Sequence, residues 1–114
     1  MNGQEKYNYA LLANLRQAAL VYADNLQINT PLQRSMNRHY EESLIVAAIR
    51  WATRHYTETP FDISDRLALL PYQKWNESEQ KLLSAAAQYG VNVRNKKTSP
   101  ENDLSLELAA EAIL

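Results

Sequence analysis

No cysteine occurs in the 114 residues, which excludes thiol catalysis, disulfide exchange and cysteine-based zinc sites. The lack of thiols fits a reducing compartment. Glycine is almost as scarce, with only Gly3 and Gly90. Loops that cradle phosphates need several glycines close together, so no nucleotide-binding loop of that kind is present. Histidine is limited to His39 and His55. Long apolar runs are missing too. The densest, Leu44 to Ile49, falls far short of the roughly 20 residues of a membrane-spanning helix. Met1-Asn2-Gly3-Gln4-Glu5-Lys6 has no apolar core of a signal peptide. A cytoplasmic protein with no membrane association is therefore expected.

An excess of charge of one sign is also absent. The formal net charge is -1, so no global basic field is available to attract nucleic acid. Residues 1–57 hold six Lys/Arg and four Asp/Glu, giving +2, while residues 58–114 hold six and nine, giving -3. This asymmetry is too small to identify a partner. A hydrophobic share of 46% and a charged share of 22% are those of an ordinary globular chain, and the length suits one domain.

What is present is helical punctuation. Leu12, Leu15, Ala19, Tyr22 and Leu26 recur at spacings of three and four, with Leu11 and Ala18 widening the stripe. That period predicts a helix from about Glu5 to Ile28. Thr30-Pro31 stops it and starts the next, because Thr caps well and Pro suits the first helical position. The second helix is expected from Pro31 to about Tyr56, with a break near Asn37. Leu32, Met36, Tyr40, Leu44, Ala47, Ala48 and Trp51 form its apolar stripe. Leu44 to Ala52 is apolar nearly all round and is predicted to be the most buried helix.

A connector over 57–63 follows, with Phe61 and Ile63 expected to pin it to the core. Ser64 is the expected cap of a short helix, Asp65 to Leu70, limited by Pro71. Asn76 and Glu79 have the spacing of a capping box, predicting a helix from Glu77 to Tyr89. Gly90 stands where a left-handed C-cap would close it. Val91-Asn92-Val93 reads as extended and 94–98 as a basic linker. Ser99-Pro100 repeats the cap-plus-proline signal and predicts a last helix over 99–114, with Leu104, Leu108 and Ala112 facing inward. The fold class expected is all-α, an irregular bundle of four to five helices forming one domain over 1–114.

Groups able to carry chemistry are scattered. Arg38-His39-Tyr40-Glu41-Glu42 echoes Arg54-His55-Tyr56-Thr57-Glu58, each with His and Glu three apart on one helix side. The copies lie 16 residues apart, about 160° round one straight helix, so they point away from each other. No metal site is assigned. Asp24, Asp62 and Asp65 have no partner implied by spacing, and nothing resembles a nucleophile elbow. No catalytic residue and no cofactor are assigned.

Seven tyrosines are many for this length. Tyrosine suits interfaces because it is large, stiff and polar at its tip. Tyr7 and Tyr9 precede the main apolar stripe and are the tyrosines expected to be free for a partner. Leu104, Leu108 and Ile113 add apolar surface at the other end of the chain. These five residues form the candidate partner-binding set.

Trp75-Asn76-Glu77-Ser78-Glu79-Gln80-Lys81-Leu82-Leu83, continuing to Gln88-Tyr89-Gly90, resembles the first helix of a Myb or SANT repeat. The resemblance covers sixteen residues and implies DNA binding. Such repeats continue with two further helices bearing tryptophans. This chain has no Trp after Gly90, and its last helix is acidic, so no base-reading residue carries over. A helix-turn-helix from 65–70 and 77–89 would place Glu77 and Glu79 where phosphates repel them. Arg34, Arg38, Arg50 and Arg54 wind around the second helix rather than forming one stripe.

With no built chemistry, recognition by surface is the favoured reading. The chain is expected to be a small protein–protein interaction module, an accessory subunit or an inhibitor, and a homodimer is slightly favoured. A nucleic-acid-binding regulator is the alternative, and a helical enzyme with a pocket of distant residues ranks third.

Overall fold

The computed structural model describes residues 3–28, 30–56 and 61–114, excluding the side chains of Phe61 and Asp62. Among them are six α-helices, one 3-10 turn and no strand. The helices are α1 (Gly3–Gln27), α2 (Pro31–Ser35), α3 (Asn37–Ala52), α4 (Phe61–Leu69), α5 (Glu77–Arg94) and α6 (Pro100–Glu111), with the 3-10 turn Leu70–Tyr72 between α4 and α5. The fold is all-α, as the periodicity predicts. Among the described residues no helix is long and apolar enough to cross a membrane.

Helix α1 is the spine and packs mainly on α3 and α5. It runs antiparallel to α3, since Asn25 near its end meets Asn37 at the start of α3. It runs parallel to α5, since Arg16 acts on Tyr89 and Asp24 binds Arg94 one to two turns further along. Helix α6 returns antiparallel along α5, with Asn92 Nδ2 donating to Asn102 Oδ1 at 2.9 Å. Helix α6 also packs on α3, and near its other end Glu111 pairs with Arg54, just beyond the end of α3. Leu15, Leu44, Ala48, Leu82, Leu106 and Ala110 are fully buried at the centre. Trp51 is buried beside them, 8% exposed.

The buried stripe of α1 is Leu11, Leu15, Ala19, Tyr22 and Ala23. Leu12 is only half-buried, and Leu26, predicted to face inward, is exposed near the end of the helix. Thr30 caps α2 as predicted, accepting from the Gln33 N–H. The predicted break falls at Met36. It is braced by Asn25, whose amide donates to the Gln33 carbonyl at 3.2 Å and to Asn37 Oδ1. Leu32 is exposed, because α2 buries none of its residues.

Three expectations need correction. Helix α4 begins at Phe61, so Ser64 lies inside it and caps nothing, while Ile63 is buried as an α4 residue. Residues 57–60 of the expected connector lie outside the described residues.

Gly90 is not a C-cap. Helix α5 runs through it to Arg94, so Val91 to Val93 is helical rather than extended, and Arg94 belongs to the helix rather than a linker. A Cβ built on Gly90 would lie 2.1 Å from the Ala23 Cβ. The glycine is there for a close helix crossing, which a cap signal read from sequence alone cannot reveal. The end itself is made by Lys96, at φ 59°. The Lys97 N–H donates to the Asn92 carbonyl at 2.7 Å and the Lys96 N–H to the Val93 carbonyl at 3.0 Å. That pair of bonds is the Schellman motif, closed here without glycine.

Helix α6 has the predicted Ser99 cap and docks on the body of the chain, but in the opposite phase. Leu106, Ala110 and Ile113 are buried, whereas Leu104 and Leu108 are about half exposed. Both sets repeat at helical spacing, so period alone cannot choose between them.

Candidate functional site

The five candidate residues separate. Ile113 is 1% exposed and belongs to the core. Arg66 donates to its carbonyl, tying α4 to the end of α6. It therefore has no surface to offer a partner. Tyr7 and Tyr9 are both exposed on the first turns of α1. Positions two apart on a helix point about 200° apart, so they serve different sides of the molecule.

Tyr9 shares a side of α1 with Arg16, seven residues on. Arg16 reaches across to α6, 3.5 Å from Asp103 and 3.7 Å from Glu107. Tyr89 of α5 lies behind this seam. Its hydroxyl pKa is raised from 10.0 first by burial, then by Asp103 and Glu107, with Arg16 opposing. Leu104 and Leu108 follow Asp103 and Glu107 by one residue each, so they stand further round α6, opposite its buried face. Tyr9 thus lies on the Arg16 side of α1 and Leu104 and Leu108 on the outer side of α6, with the Arg16 ion pairs joining the two helices.

Tyr7 shares the other side of α1 with Asn14 and Ala18. These two line a groove of about 390 Å³ against α3, completed by His39, Glu42, Ser43, Val46 and Arg50. Sequence reading missed this groove because it forms only where two helices meet. The one signal available was the spacing 39, 43, 46 and 50, which puts four unlike residues on one side of α3.

The buried polar residues were also missed. Glu79 is fully buried. Its carboxylate accepts from the Asn76 N–H at 2.8 Å, completing the predicted capping box, and from Gln73 Nε2 at 2.9 Å. Arg66 lies 3.2 Å away. Arg38 donates at 2.6 Å to the carbonyls of Leu70 and Gln73, and its guanidinium stacks 3.6 Å from the Trp75 ring centroid. Trp75 Nε1 donates to Glu41 at 3.3 Å. These two arginines fasten the segment between α4 and α5 to the bundle. Trp75 is thus held at the surface of α3, and the helix after it passes beyond Tyr89-Gly90, where the Myb-like pattern has it stop.

The titratable groups form no concentrated centre. Among the described residues no three His, Cys, Asp or Glu side chains come together as metal ligands, and Glu58 lies outside them. His39 and His55 are exposed, and Glu42 pairs with Arg38 at 3.2 Å. Asp24 is chelated by Arg94 at 3.0 and 2.5 Å, which holds its carboxyl below the ordinary value of 3.8. The chain matches no protein-family model, no curated protein and no solved structure.

Proposed function

We propose that the chain is a protein–protein interaction module, an accessory subunit or inhibitor acting by surface recognition, with the outer face of α6 as its docking surface. One observation carries this reading: α6 is apolar on two opposite sides. Leu106, Ala110 and Ile113 seal the inner side, while Leu104 and Leu108 are 51% and 55% exposed on the outer one. A surface helix normally turns polar residues outward, and contiguous apolar surface marks interaction sites. Tyr9, 68% exposed on α1, offers a further aromatic ring with a polar tip. The same face admits a second copy of the chain as its partner.

Nucleic acid is less well supported by the charge arrangement. Phosphate binding needs several free cations in register. Arg16, Arg38, Arg54, Arg66 and Arg94 are each committed to carboxylates of their own chain.

The test is the double variant Leu104→Glu/Leu108→Glu. Both side chains are half exposed, so the melting temperature should stay within a few degrees. Wild type should retain a specific protein from its native cell extract, or show a dimer by light scattering, and the variant should lose it. The reading fails if the variant retains the same protein, or if wild type is a monomer that retains nothing the variant loses. A salt-sensitive shift of duplex DNA in that second case would favour the nucleic-acid alternative.

A further inference from the structure

The groove between α1 and α3 carries a charge that the rest of the molecule does not answer. The chain has seven arginines, all among the described residues. Five are paired with carboxylates of their own chain, and Arg34 is not free either. Among the seven arginines only Arg50 has a guanidinium with no hydrogen bond or ion pair, and it lines the groove. A planar guanidinium with five donors is suited to a carboxylate, which it can bind through two parallel bonds.

The rest of the groove narrows the choice of ligand. Ala18 and Val46 give it apolar lining, while Asn14, His39 and Ser43 line it with polar side chains. Toward the other end from Arg50, which His39 closes, stands Glu42, which receives Arg38 through one carboxylate oxygen. The groove is therefore asymmetric: its residue 50 end carries a free positive charge, and its residue 42 end presents the carboxylate oxygen that Arg38 does not take. Eight residues of helix separate these ends by roughly 12 Å, which an extended chain spans in about four residues.

The geometry points to an extended peptide segment of a partner protein, with an Asp or Glu on Arg50 and a basic or hydrogen-bond-donating residue about four positions away, near Glu42. A nucleic-acid strand fits poorly, because it would bring a second phosphate toward Glu42 and find a single free guanidinium. This inference rests on the reading of the chain as a protein-binding module, but it uses a different face from the outer side of α6.

The test is selection of a displayed random-peptide library on the immobilised full chain. Arg50→Gln serves as the counter-target, and recovered peptides are remeasured by fluorescence polarisation. Arg50 is exposed, so the variant should melt with wild type, which circular dichroism verifies. The expected winners carry an acidic residue, bind wild type at least tenfold more tightly than Arg50→Gln, and weaken equally when their acid becomes the amide. Winners with no acid, winners indifferent to Arg50, or no enrichment at all would overturn the proposal. So would a labelled duplex DNA that binds through Arg50 more tightly than any peptide. The same peptides measured on Leu104→Glu/Leu108→Glu should bind unchanged, so failure of the α6 surface and failure of this groove are read separately.

Discussion

Gly90→Ala sets two effects of opposite sign against each other. In a helix interior the change from Gly to Ala ordinarily stabilises by about 1 kcal/mol. Here the new methyl would lie 2.1 Å from the Ala23 Cβ, where ordinary contact is 3.4–4 Å. Both atoms are bonded directly to backbone, so no rotamer change relieves the clash and α1 must move from α5 by more than an ångström. Such overpacking typically costs about 1–3 kcal/mol, and a contact this rigid belongs at the upper end. The net expectation is a loss of about 2 kcal/mol. With an unfolding entropy of about 2.1 cal/mol/K per residue, that is a fall of roughly 8 °C in Tm. Urea unfolding should show a lower midpoint with an unchanged slope. Adding Ala23→Gly transfers the missing methyl to the other helix and cancels the propensity terms, so the double variant should return to within about 1 kcal/mol of wild type. If Gly90→Ala is as stable as wild type or more so, propensity has won and the close crossing is refuted.

Lys96→Gly should stabilise by about 0.5–1 kcal/mol in urea melts, because it removes the cost of a side chain at φ 59° and adds a smaller backbone-entropy cost; no change would mean that the Schellman turn is unstrained. Trp51→Ala should cost about 3–5 kcal/mol, since the ring is 8% exposed with Arg54 stacked 3.9 Å over it; a thermal melt that hardly moves would place the ring at the surface. The pKa of Asp24 is lowered chiefly by its hydrogen bonds from Arg94, so its stabilisation is present above the unfolded value of 3.8 and is lost as pH falls through the lower folded value. An NMR titration should show this carboxyl moving up toward 3.8 in Arg94→Gln, and an unchanged midpoint would remove the pair as its cause.

Local chemistry was legible where it acts locally. The helical class, the Thr30, Asn76 and Ser99 caps, the break at Met36 and the burial of Leu15, Leu44, Ala48 and Trp51 follow from period, side-chain capping and proline geometry within a few residues. Tertiary structure decided whatever depends on a second helix. Gly90 looks like a cap until Ala23 is found beside it, because a missing Cβ serves a turn and a close crossing equally well. Leu104–Leu108 and Leu106–Ala110 are equivalent stripes until α6 is placed against α5 and α3. Tyr7 and Tyr9 are neighbours in sequence, yet the helical turn sends them to different sides. The α1–α3 groove with its unanswered Arg50 exists in no single segment. A helix's own period says that it has faces, and only its neighbours determine which one is left exposed.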